Sequence, residues 1–184
     1  MHFAKLAAVA TFALLSTTAA FAQSNPMVGG AAMFADKNIV ENAVNSADHT
    51  TLVAAVTAAG LVDTLQSAGP FTVFAPVNAA FAKLPAGTVD TLLMPANKSQ
   101  LVKVLTAHVV AGKVSAADLM AGISASDNGQ FSFRTVSGDT LTAIARGNTI
   151  FVYDESGGAA RVTIADVNQS NGVIHVVDDV LLPK

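Results

Sequence analysis

The sequence predicts an α+β fold, helices first and strands later, and three observations carry that prediction. Between Asn38 and Gly122 apolar residues recur at three- and four-residue spacing, as they do along one face of a helix. From Gln130 they alternate with polar residues, as in strands with one face buried. The third observation is Phe71–Phe81, an apolar strand that meets Pro76 and restarts as a helix. Proline fixes its φ, lacks an N–H and biases the residue before it towards extended geometry, so Ala75-Pro76 closes the strand. Asn78 is then expected to cap the helix that carries Ala79, Ala80, Phe81 and Leu84. Early helices lying against an antiparallel sheet satisfy this order of elements.

The chain opens with Lys5, an apolar run from Leu6 to Leu15 and Ala20-Phe21-Ala22 before Gln23. That order of charge, apolar run and small-x-small site reads as a signal peptide over residues 1–22. Its apolar run is too short to span a bilayer, which takes roughly 20 residues. Residues 23–35, with Pro26, Gly29 and Gly30, read as a flexible arm, leaving 36–184 as the folded domain. Asn38 with Glu41 three residues later is a capping-box pattern ahead of Ile39, Val40, Ala43 and Val44. A second helix follows from about Thr50, with Leu52, Val53, Val56 and Ala59 on one face and Gly60 as its stop. Leu61, Val62 and Leu65 make a third, short helix.

Beyond the corner at Pro76, Thr88 to Leu93 is a short helix closed before Pro95. A longer one starts from Asn97 as cap, and Leu101, Val104, Leu105 and His108 fall on one face of it. Val109 and Val110 are extended. Ser115 with Asp118 opens another helix, with Gly122 as its expected stop. Phe131, Phe133 and Thr135 begin the alternating half. Thr140 to Ala145 and Thr149 to Tyr153 flank Arg146-Gly147-Asn148, read as a three-residue hairpin loop. Arg161 to Ala165 is the next strand. Gly172 to Val177 is the last, apolar on both faces as a central strand is.

Composition excludes several classes of function. Of 184 residues 52% are hydrophobic and 12% charged, with no cysteine and no tryptophan. Disulfides, thiol catalysis and lipid attachment at an N-terminal cysteine are therefore absent. The net charge is −3, and removal of Lys5 with the leader turns 10 minus 13 into 9 minus 13, or −4. No basic cluster suggests a nucleic-acid partner, and no stretch after the leader reads as a membrane span. No His-x-x-x-His, Gly-x-Ser-x-Gly or P-loop pattern is present, so neither an enzyme, a cofactor nor a metal is expected. His175 and Asp178 point to opposite faces at strand spacing, which argues for a closing turn with solvated acids over a metal site. His49 beside Asp48 belongs to a cap region. His108, on an apolar stripe, reads as a buried histidine whose ring nitrogens bond the backbone. Asn97-Lys98-Ser99 and Asn168-Gln169-Ser170 are glycosylation triplets read as accidental in a bacterial export product.

Three ordered stretches resemble the fasciclin domain family: Thr72-Val73-Phe74-Ala75-Pro76-Val77-Asn78-Ala79-Ala80-Phe81, Leu105–Val114 around His108, and Asn171-Gly172-Val173-Ile174-His175-Val176-Val177-Asp178-Asp179-Val180-Leu181-Leu182-Pro183. The resemblance covers about Asn38 to Pro183. It implies a wedge-shaped β-sandwich of antiparallel strands with helices packed against it, found in secreted and surface proteins and associated with adhesion to matrix, cells or glycan. It implies no shared catalytic chemistry. Ala107 stands where the family often has tyrosine, which weakens transfer of a tyrosine-dependent receptor contact. Asp166-Val167 sits where some animal relatives carry an integrin-linked Asp-Ile, which makes Asp166 and Val167 the candidate contact. Arg146-Gly147-Asn148 resembles an adhesive tripeptide without its final acid. The expected function is an exported adhesion or interaction module for a matrix, cell-surface or glycan partner. The alternative is a periplasmic binding protein for a small apolar or glycan ligand, marked by a deep apolar pocket between helices and sheet.

Overall fold

The computed structural model describes residues 25–184, and the expected leader, residues 1–22, lies outside them. Strands β1 (Met27–Val28) and β2 (Ala31–Ala32) form a hairpin about Gly29-Gly30, whose φ values of 56° and 77° suit a tight two-residue turn. From Met27 onward, then, the expected flexible arm is a folded element. Val28 and Met33 are buried, and Ala47 N–H donates to Gly29 O at 3.1 Å. Paired glycines between apolar residues serve a tight turn as well as a linker, and the buried flanks decide for the turn.

Helix α1 (Ile39–Ala43) begins with a complete capping box: Asn38 Oδ1 accepts from Glu41 N at 2.9 Å, and Glu41 Oε2 accepts from Asn38 N at 2.8 Å. Helix α2 (Thr50–Ala59) ends at Gly60, which is left-handed with φ 73°. Helix α3 (Val62–Gln66) delivers the chain to β3 (Phe71–Pro76), and α4 (Asn78–Ala82) leaves it. Then come α5 (Thr88–Leu93), α6 (Lys98–Ala107), β4 (Val109–Ala111) and α7 (Ala116–Ala125). Strands β5 (Gln130–Arg134), β6 (Thr140–Arg146), β7 (Thr149–Tyr153), β8 (Ala159–Gln169) and β9 (Gly172–Val177) complete the chain.

Four local expectations are corrected. Asn78 does not cap its own helix, whose N-cap is Val77, and Asn97 makes no cap bond, its Nδ2 donating instead to Thr91 O. Helix α7 runs through Gly122 to Ala125, and a side chain at Gly122 would strike the Phe131 ring at 2.5 Å, so the glycine marks a close approach and not a stop. The β6–β7 turn has two residues, Gly147-Asn148, with Arg146 paired to Thr149.

The seven strands β3 to β9 are hydrogen-bonded in the order β4-β3-β9-β8-β7-β6-β5. Where the resemblance implies an antiparallel sandwich, the sheet is one continuous mixed order, since β3 and β9 run parallel from Phe71 beside Gly172 to Pro76 beside Val177. A parallel partner lies far away in sequence, beyond the reach of local turn signals. The two ends of the order converge, for Val136 N–H, just past β5, donates to Val109 O of β4 at 2.7 Å.

Each face of the central strands has its own core. Val73, Ala75, Ile174 and Val176 face α1 to α6 and the hairpin; Phe74, Val110 and Val177 face a second cluster with Leu119 and Ile123 of α7. This is why β9 is buried at all six positions and reads as apolar throughout.

Candidate functional site

The polar residues of the recognisable motifs are occupied in joining distant segments. Thr72, fully buried, donates from Oγ1 to Gly112 O at 2.7 Å and accepts from Val114 N at 2.8 Å. Asn78 Oδ1 accepts from Thr51 N at 3.0 Å and its Nδ2 donates to Ala47 O at 2.9 Å, so it caps α2 in place of α4. Asn171 Oδ1 accepts from Ile39 N at the start of α1, and its Nδ2 donates to Leu65 O and Ser67 O at the end of α3. Gly172 leaves room for Phe71, whose carbonyl oxygen lies 2.0 Å from where a Cβ would stand. Phe74, Ala75 and Phe81 are buried, and Pro76 ends β3. Asp178 accepts from Arg161 N at 2.8 Å and pairs with its guanidinium at 3.1 Å. Near the C-terminus, Leu182 N–H donates to Asp154 at 2.8 Å and Pro183 is half-buried.

Three buried histidines bridge pairs of segments. His108 Nδ1 donates to Val104 O at 2.8 Å, and Nε2 accepts from Leu181 N at 2.9 Å. Because a carbonyl only accepts and an amide only donates, these partners fix the neutral tautomer with its proton on Nδ1. Burial holds the His108 pKa down to about 4. His175 has the opposite tautomer, with Nε2 donating to Val114 O at 2.9 Å and Nδ1 accepting from Asp166 N at 3.3 Å. His49 accepts from Ser46 Oγ at 2.9 Å on Nδ1, and its Nε2 faces Ala75 O at 3.4 Å. Burial lowers the pKa of both.

The sequence-derived contact pair separates. Asp166 and Val167 lie within β8, at an irregularity in its pairing with β9, and not on a loop. Val167 is fully buried and offers no surface, which corrects its place in the candidate contact. Asp166 is half-buried at φ 57°, and its carboxylate accepts from Ala116 N at 2.8 Å in the first turn of α7. Ala107 is likewise buried. Among the described residues no group of three or more His, Asp or Glu stands close enough to hold a metal, and no helix is long and apolar enough to cross a membrane.

Two concavities stand out among the described residues. A surface groove of about 370 Å³ lies beside Asp166, between Ala117 and Met120 of α7, Asn148 of the β6–β7 turn, and Ile150, Thr163 and Ala165 of the strands; its walls are part polar and part apolar. The other is a cavity of about 310 Å³ on the opposite side of the sheet, between the hairpin, α1, α2, α3 and the strands, with walls almost wholly apolar. Sequence reading missed Val28, Met33 and His49 as part of it. The signal was present in the apolar pairs flanking Gly29-Gly30.

The sequence profile of the Fasciclin domain matches residues 47–183. Protein sll1483 of Synechocystis is 46% identical over 181 residues, covering 96% of this chain and 93% of that protein. Immunogenic protein MPB70 of Mycobacterium bovis is 39% identical, covering 77% of this chain and 66% of its own. Cell surface glycolipoprotein MPB83 of the same species is 33% identical over 90% of this chain and 70% of its own. Among solved structures, a FAS1 domain pair from the insect cell adhesion molecule fasciclin I superposes with a TM-score of 0.68 at 18% identity. The match covers 79% of this chain and 51% of that one, so this chain spans about half of the pair. A profile match over most of the chain, near-full-length relatives and a shared fold lead to one statement: the chain belongs to the fasciclin domain family.

Proposed function

We propose that this chain is an exported adhesion or interaction module that holds a protein or glycan partner of the cell surface or surrounding matrix, without catalysis, and acts in the periplasm or outside the cell. The groove between α7 and strands β7 and β8 carries the reading. It is an open concavity with mixed walls, offering hydrogen bonds from Asn148 beside apolar contact from Met120 and Ile150, while Thr163 Oγ1 on the same wall donates to Val176 O at 3.2 Å. Asp166 shapes it from below by holding the first turn of α7, and it takes part through that support. That a cell surface glycolipoprotein and a cell adhesion molecule are among the similar proteins supports this direction, although a shared fold alone does not transfer a partner.

The test compares surface attachment of cells carrying the wild-type chain, a deletion, and Ala165→Arg. Ala165 is exposed, so the arginine fills the groove without entering the core. Deletion should reduce attachment, and Ala165→Arg should reproduce the loss with an unchanged melting temperature. Attachment unaffected by deletion, with purified protein that binds neither cells, matrix proteins nor polysaccharide, refutes the proposal. Attachment lost on deletion but retained by Ala165→Arg refutes the groove as its site.

A further inference from the structure

The cavity under the N-terminal hairpin is large for a packing fault. Native interiors leave few voids bigger than a water molecule, and an engineered apolar cavity of about 150 Å³ already takes up benzene. At about 310 Å³ this one has roughly twice that volume, at the lower end of the roughly 300–1,000 Å³ range of small-molecule pockets. Its walls come from separate parts of the chain: Val28 and Met33 from the hairpin segment, Val53 from α2, Ile174 from the sheet.

The polar groups on the wall are already used. Ser46 Oγ and His49 Nδ1 bond each other, His49 Nε2 faces Ala75 O, and both ring nitrogens of His108 have backbone partners. Thr57 Oγ1 donates to Val53 O at 2.8 Å. No buried side-chain nitrogen or oxygen among the described residues lacks a partner. A sugar placed here would leave its hydroxyls unpaired, which is unfavourable in an apolar site; a hydrocarbon would leave nothing unpaired. The most exposed wall residues are Val44, the C-cap of α1 at 54%, and Thr57 on α2, with Val40, Ala43, Val53, Leu61 and Val62 half-buried around them, which places the mouth between α1 and α2.

We propose that this cavity binds one small uncharged hydrocarbon-like molecule, a fused-ring or terpenoid body or a short acyl chain of equal volume, entering between α1 and α2. The site is separate from the surface groove, which lies on the other face of the sheet, so either can fail alone. Met33 suits such a wall, because an unbranched thioether adapts to ligands of varied outline.

The exported, purified protein is titrated with the uncharged probe N-phenyl-1-naphthylamine, read by fluorescence and by melting temperature, with maltotriose as the polar control. Wild type should bind one equivalent saturably and melt at a higher temperature with the probe, as ligand binding to the folded state requires, while maltotriose does neither. Ala43→Leu/Val53→Phe narrows the cavity and should weaken probe binding about ten-fold or more, since overfilled sites exclude ligand. Val44→Glu changes an exposed residue, leaves the fold intact and should weaken entry by placing a charge at the mouth. Absence of saturable binding by wild type overturns the proposal, as does equal binding by the folded Val44→Glu and cavity-filled variants.

Discussion

The Asp166 carboxylate reaches the Ala116 N–H while its own backbone, at φ 57°, donates to His175 Nδ1. Left-handed backbone is tolerated by aspartate and asparagine and resisted by alanine. Asp166→Ala therefore loses a cap-like bond to α7 and adds backbone strain, and urea denaturation should show it less stable by about 2 kcal/mol. Asp166→Asn keeps an acceptor oxygen and the tolerated backbone, and should lose less than half as much. Equal losses would mean that the oxygen and the backbone play no part. The acid was legible as unusual only through resemblance; its bond to a residue fifty positions earlier was not. The same holds for Asn78 and Asn171. Both stand out in sequence as polar residues in apolar boxes, but which helix each one caps is decided by tertiary approach.

At the scale of elements, α7 lies across β5 with Gly122 over the Phe131 ring, where an added Cβ would come within 2.5 Å. Alanine has the higher helix propensity by about 1 kcal/mol, so an exposed helical glycine would gain from replacement. Here Gly122→Ala should lower stability by about 1 to 3 kcal/mol, the range for overpacking, as measured by the urea midpoint. A gain would show that Phe131 moves aside freely. Helices α1 to α6 and the later strands were readable because apolar periodicity is a local signal; the two-residue capping boxes at Asn38 and Ser115 formed as their spacing requires, while the single cap candidates Asn78 and Asn97 bond elsewhere. The hairpin at Gly29-Gly30 was read as linker because its strands are two residues each, too short for a period to show. The parallel pairing of β3 with β9, and the cavity that the hairpin roofs, depend on long-range approach and leave no local mark.

Across the whole molecule, His49, His108 and His175 each join two segments while neutral, and each has a lowered pKa caused chiefly by burial. In the unfolded chain they regain the ordinary value near 6.5. Below that pH the unfolded state binds more protons than the folded one, so stability falls as pH falls. The His108 contribution is complete above pH 6.5 and gone at about 4, a difference of roughly 3 kcal/mol. Urea midpoints measured between those pH values should decline steeply for wild type. His108→Gln, which has a donor and an acceptor but does not titrate, should start lower and decline less. An equal slope in both would remove His108 as a source of acid lability.

The last strand in sequence, β9, lies between β3 and β8 and supplies Ile174 and Val176 to the bed on which the first helices rest. A nascent chain therefore has no complete core until β9, made after every other strand and helix described, has left the ribosome, and contacts of such long sequence separation form slowly.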